Sequence, residues 1–295
     1  MSDPSKNPIW RALTAVWRAL PFTPGDKPVV TVLTLSGAIG DTPAPGSKGL
    51  NAARLEDAIK QAFKPQSLKA VALAINSPGG SPVQSRLIHN AIRREAAKKG
   101  VPVLAFIEDV GASGGYILAA AGDEIFADES SIVGSIGVVS AGFGFTEAIA
   151  RLGVDRRVHT AGDNKSQLDP FRPERPEEVA RLETILNTLH EQFIGLVKNR
   201  RGEKLSASHD DTFSGAFWAA PEAKARGLVD EIAQMGDFLP RRFGDDVIIN
   251  RITPGSSSLL KRLLSGRGDV PGPLVDPAAV ISALDERALW ARYGR

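Results

Sequence analysis

The chain contains no cysteine. Disulfides, thiolate metal sites and a thiol nucleophile are therefore excluded, and the redox compartment is left open. Histidine is scarce as well: His89, His159, His190 and His209 are scattered singly, and no two stand at the spacing of a metal-binding pair. No metal and no cofactor is expected. No run reaches the roughly 18 apolar residues that would span a bilayer, and the N-terminus lacks the apolar core and small-residue cleavage site of a secretory signal. An excess of charge of one sign is missing too, with 36 Lys and Arg against 34 Asp and Glu. Nothing in that balance favours a nucleic acid as partner.

What is present is enough for a folded body, since 295 residues of 42% hydrophobic content can bury one large core or two modest ones. Apolar runs at Val29 to Leu35, Ala70 to Ile75 and Val103 to Ile107 read as strands, and helical patterns follow the first two at about Asn51 to Lys64 and Pro82 to Lys99. Further short strands are expected at Glu124 to Ala127, Ser131 to Val139, Val154 to Thr160 and Asp246 to Ile252. A long helix is expected over Pro176 to Arg201, and a short one over Trp218 to Gly227. The alternation predicts an α/β fold with a mostly parallel sheet flanked by helices, whose chemistry gathers at the C-terminal strand ends. Three regions result: an amphipathic segment over 1–27, a compact domain over 28–252, and a Pro/Gly/Ser-rich tail with short helices over 253–295.

Two glycine-rich turns leave strands on that edge, Ser77-Pro78-Gly79-Gly80 and Gly111-Ala112-Ser113-Gly114-Gly115, and should be neighbours in space. Ser113 stands where a strand turns sharply into a helix, the position of an exposed nucleophilic hydroxyl beside free backbone N–H groups. Serine beside glycine is also an ordinary turn sequence, so the position needs a base to become chemistry. The four histidines fit that role badly, falling inside expected helices, a strand and a distant polar loop. Lysine is the other option, because a buried amine can give up its proton and accept one from serine. Lys165, in the polar loop Ala161 to Asp169, is the candidate, although a loop lysine is ordinarily solvated.

Five blocks in order resemble the SppA signal peptide peptidase family, which shares the Clp protease and crotonase fold and uses a Ser–Lys dyad. They are Ile75 to Ser81, Ala112 to Tyr116, Ser131 to Val138, Lys165-Ser166 with Pro170, and Phe213 to Gly215 continuing through Ala220 and Ala223 to Gly227-Leu228-Val229-Asp230-Glu231. The resemblance implies Ser113 as nucleophile, Lys165 as general base, and an oxyanion hole from the N–H groups of Gly80 and Gly114. It also implies a homo-oligomer, with the dyad either within one chain or shared between adjacent subunits, and apolar peptides such as cleaved signal peptides as substrates. No histidine lies between Ser113 and His159 to serve as the Clp-type base, which favours the lysine.

The apolar, small-residue stretch Val133 to Val139 lies close after Ser113 in sequence. Val133, Gly134, Ser135, Gly137 and Val138 are therefore expected to line the cleft and to pair with an extended peptide as an added strand; a plain core strand is the other reading. Ile9, Trp10, Leu13, Val16, Trp17 and Leu20 share one face of a helical pattern with Arg11 and Arg18 opposite. That face suits either peripheral contact with a membrane or docking on protein. The expected location is cytoplasmic, with peripheral attachment to the inner membrane face under the first reading. Two other functions fit such a chain: a crotonase-like acyl-thioester enzyme, which would need neither Ser113 nor Lys165, and a non-catalytic membrane-associated scaffold.

Overall fold

The computed structural model describes residues 27–40, 49–254 and 287–294. The amphipathic pattern of Ile9 to Leu20, the loop Asp41 to Lys48 and most of the tail lie outside the described residues. Strand β1 (Val29–Ser36) leads to helix α1 (Ala52–Ala62), β2 (Leu68–Ser77), α2 (Pro82–Lys99) and β3 (Val103–Ala112). The helix ends follow from local chemistry. Asn51 accepts from the Ala53 N–H at the start of α1, and Ser81 caps α2 ahead of Pro82. Gly100 closes α2 in the left-handed conformation with φ 68°.

The three long strands pair in parallel with β2 between β1 and β3, and β8 (Ile248–Ile252) extends the sheet beyond β1. Alternation along β2 divides the core. Val71, Leu73 and Ile75 enter the larger cluster beneath the helices, whereas Ala70, Ala72 and Ala74 face the smaller one. Those small alanines let a short helix, α7 (Met235–Phe243), bring Phe238 against Phe126 and Phe106 on the other face.

Strand β3 changes partner along its length, and this positions the site. Its first half pairs with β4 (Glu124–Ala127), while Val110 to Ala112 pair with β5 (Ile132–Gly134). β5 in turn pairs antiparallel with β6 (Phe217–Ala219), and the two-residue β7 (Glu231–Ile232) continues from β4. The sheet therefore splits just before Ser113. Helix α3 (Gly114–Ala119) follows directly, and α5 (Pro176–Arg201) packs across it.

Several expectations are corrected. Strand over Ser131 to Val139 is limited to β5, because the chain turns at Ile136. Val154 to Thr160 forms no strand: it is largely exposed and finds no neighbour to pair with. Trp218 belongs to β6, and helix α6 begins only at Ala220 and runs to Ala225. Two helices were not expected, α4 (Thr146–Arg151), which buries no residue, and α7, whose internal Pro240 reads as a helix breaker.

Candidate active site

Ser113 occupies a backbone conformation that side-chain-bearing residues seldom adopt, with φ 53° and ψ −123°. Such strain costs about 1–3 kcal/mol and persists only where the surroundings fix it. Here they do. The Ser113 N–H donates to the Gly134 carbonyl at 2.9 Å, and the Ser113 carbonyl accepts from Tyr116 and Ile117 at 2.9 and 3.2 Å. Beneath it, Tyr116 is fully buried and donates its hydroxyl to the Leu228 carbonyl at 2.8 Å. Burial pushes that phenol well above its ordinary range, so it stays a neutral donor.

The glycines allow the two turns to meet. A Cβ on Gly79 would lie 2.8 Å from both the Ser113 Cβ and the Gly114 nitrogen, one on Gly115 would lie 2.4 Å from the Ser77 carbonyl oxygen, and one on Gly80 would lie 2.1 Å from the Ile39 oxygen. The bridge between Ile39 and this turn uses the Gly79 carbonyl and the Ser81 N–H. Among the described residues no backbone bond takes the N–H of Gly80 or of Gly114. Ser113 makes no capping bond with its hydroxyl, which is likewise left for other work.

These groups open onto a cavity of about 760 Å³. Ser113, Gly80, Gly114, Ser135, Gly137 and Val138 all line it. Val133, expected on the wall, is instead fully buried in the core, and Gly134 packs against the Trp218 ring while its carbonyl holds Ser113. The rest of the lining was not anticipated. Helix α5 contributes Leu189, His190, Phe193 and Leu196 at helical spacing, so its amphipathic pattern was the available signal. The final residues contribute Leu289, Arg292 and Tyr293, whose ring meets Phe217 edge-on at 5.1 Å between centroids.

Lys165 is not among the lining residues. It is exposed on a tight turn, its N–H bonded to the Gly162 carbonyl at 3.2 Å, within the arm that runs from Val139 to Arg175. The base of that arm is tied by Glu178 of α5, which accepts from the Leu168 N–H at 2.8 Å and pairs with Arg175. Its surface carries apolar side chains into solvent: Phe143 is 81% exposed and Leu152 77%. Of the histidines, His89 is buried in α2 with Nδ1 3.0 Å from the Asn90 side chain, and His159 is exposed on the arm. His209 stands just before a short 3-10 turn, and only His190 reaches the cavity. Among the described residues no group of acidic and histidine side chains could hold a metal.

The segment behind Tyr116 shows what the end of the fifth block, Gly227 to Glu231, does in the fold. Arg201, buried on α5, donates to the Gly227 carbonyl at 2.8 Å and forks onto Asp230 at 2.7 and 3.1 Å. Asp230 also accepts from the Ile125 N–H at 2.7 Å, and its own N–H donates to the Ile125 carbonyl at 2.7 Å, which ties β4 to the segment entering β7. Partial burial alone would raise the Asp230 carboxyl, but the bonds from Arg201 and Lys204 outweigh it and hold the group below the usual aspartate range.

The chain is similar to several known proteins. Residues 95–241 match peptidase family S49. A Brucella melitensis protein named Na(+)/H(+) antiporter NhaA is 46% identical over 273 residues, covering 90% of this chain and 37% of that protein. Protease 4 of Haemophilus influenzae is 30% identical over 214 residues, covering 70% of this chain and 33% of that protein. The chloroplastic serine protease SPPA of Arabidopsis thaliana is 29% identical over 213 residues, covering 70% and 31%. The chain thus spans about a third of the length of each of these three relatives.

Proposed function

The chain belongs to peptidase family S49, and from that premise we propose that it is a serine endopeptidase of the SppA type, cutting apolar peptides through an acyl-enzyme on Ser113. The observation that carries this reading is the strained Ser113 turn, whose hydroxyl opens on the cavity beside the unpaired N–H groups of Gly80 and Gly114. In the reaction the neutral Lys165 amine takes the proton of the Ser113 hydroxyl while Oγ attacks the scissile carbonyl. The negative oxygen of the tetrahedral intermediate accepts from Gly80 and Gly114. Its collapse breaks the C–N bond, the lysine proton passes to the leaving amine, and water then releases the acyl group by the same steps. The substrate lies extended along Ser135, Gly137 and Val138, and the mostly apolar walls select apolar side chains.

Lys165 reaches Ser113 from a second copy of the chain. Its exposure outside the cavity and the uncovered Phe143 and Leu152 of the same arm support an assembly in which one subunit's arm closes its neighbour's site. Among the described residues no helix is long and apolar enough to cross a membrane. The apolar face of Ile9 to Leu20 would give peripheral attachment at the inner membrane face, where residual signal peptides arrive. The thioester and scaffold readings are not favoured.

The test is hydrolysis of a fluorogenic apolar peptide by wild type and by Ser113→Ala from mildly acidic to alkaline pH. Activity that vanishes in the variant and rises with pH in wild type supports the proposal. A wild type inactive on every peptide offered sinks it.

A further inference from the structure

Between β5 and the arm the chain makes one sharp turn on the cavity wall. The Ser135 N–H donates to the Ala216 carbonyl at 2.7 Å, and the Gly137 N–H folds back onto the Ser135 carbonyl at 3.0 Å. Ile136 stands at the apex with its side chain fully buried. That leaves the Ile136 carbonyl to find a donor, and Nε2 of His190 meets it at 3.0 Å. A carbonyl can only accept, so Nε2 carries the proton. Beyond this bond, among the described residues, the wall has no further hydrogen bond from Val138 to Gly144. The next is the Phe145 N–H on the Pro170 carbonyl at 2.6 Å. Val139 is already 62% exposed.

We propose that His190 is a positioning residue for the substrate: its bond to Ile136 pins the turn from which Gly137 and Val138 run as the peptide-binding wall. The proposal rests on the peptidase reading, and gives a polar role to α5, which otherwise lines the site with Leu189, Phe193 and Leu196. The fixed wall presents its backbone to an extended peptide already ordered, so binding does not have to order it. Without the bond, among the described residues, the chain from Ile136 to Phe145 is held to the body by the buried Ile136 side chain and by the close pass of Gly137 over Gly215. His190 touches the wall, not the reacting atoms in this account, so its loss should weaken peptide binding more than it slows bond breaking.

Three proteins test it: wild type, His190→Phe, which keeps a ring without the donor, and His190→Gln, which keeps an N–H donor. Hydrogen exchange without substrate should quicken about tenfold at residues 137–141 in the Phe variant and stay near wild type in the Gln variant. In peptide hydrolysis, KM should rise about fivefold to tenfold in the Phe variant with kcat nearly kept, and Gln should recover most of the loss. Labelling of Ser113 by a small fluorophosphonate, which does not reach along the wall, should proceed alike in all three. Unchanged exchange in the Phe variant overturns the proposal. So does an equal fall in kcat and in labelling, which would put His190 in the chemistry at Ser113. A wild type that neither cleaves nor labels defeats the peptidase reading, and the exchange result still decides the role of His190.

Discussion

The nucleophile turn and the arm that carries Lys165 are built on opposite principles. Around Ser113 the backbones approach so closely that a methyl group on Gly79, Gly80, Gly114 or Gly115 would overlap its neighbours. The arm has room everywhere: a methyl on Gly142, Gly144, Gly153 or Gly162 would meet nothing within 4 Å, and α4 buries no residue. On the proposed reading, a single chain finishes the half of the site that holds a developing charge rigidly, and Lys165 stays on a surface that a neighbour would complete.

The largest effect should come from splitting these halves. Ser113→Ala and Lys165→Ala should each lower kcat/KM by at least about 10⁴, the scale of losing a nucleophile or its base. If each site takes its halves from two chains, mixing the two dead variants should restore activity at the sites that pair an intact Ser113 with an intact Lys165. Absence of recovery after subunit exchange has been verified, by mass spectrometry of labelled chains, would place both residues in one chain and break the comparison.

Stability should separate the halves as well. Gly80→Ala forces a Cβ to within 2.1 Å of the Ile39 oxygen at φ 140°, with backbone on the other side that cannot step aside. The loss should be about 3 kcal/mol, from overpacking added to an unfavourable φ, together with most activity. Gly162→Ala, at φ 100° in open space, meets only the conformational penalty, about 1 kcal/mol. Denaturant titration of the pair reads the difference, and equal losses would mean that the packing around Gly80 gives way.

Ion pairs give a smaller contrast with a sign set by pH. Arg201→Met leaves Asp230 in a partly buried place with only Lys204 beside it, and should cost about 3 kcal/mol at neutral pH. Because the folded state holds the Asp230 carboxyl below its ordinary value near 3.8, the pair contributes fully above that value. The contribution fades as pH falls further, and the gap between wild type and variant in thermal unfolding should close there. On the arm, Arg151 and Glu147 are 82% and 88% exposed, and removing either should change stability by less than about 0.5 kcal/mol.

The sequence was legible where local chemistry and long-range packing agree. Helix α2 between Ser81 and Gly100, and α5 from Pro176 to Arg201, could be bounded from their caps and periodicity alone. The meeting of the two glycine turns also followed from strands that end on one edge. What was not legible depends on partners distant in sequence. Val154 to Thr160 has the length of a strand, but among the described residues no strand lies beside it; α7 survives Pro240 because Phe238 and Leu239 bury against the sheet. Val133 was assigned to the wall because the turn at Ile136, which depends on Ala216 and His190, cannot be read from residues 131–139. Lys165 is singled out by resemblance, since a lysine in a polar loop carries no signal of its own, and within one chain it stands outside the cavity.

The smallest effect on the folded chain should come from Phe143, and for that reason it sharpens the comparison most. The side chain is 81% exposed and, among the described residues, its only ring neighbour is Phe145, at 6.3 Å between centroids. Phe143→Ser therefore removes almost no buried area within one subunit, and its unfolding temperature in dilute solution should match wild type. If the arm closes a neighbouring site, the same change exposes its cost between subunits. Sedimentation should show weaker assembly, and specific activity should fall several-fold at low protein concentration and recover as concentration rises. An activity loss that does not depend on concentration would put Phe143 to work inside its own chain, and the arm would then be part of the finished half.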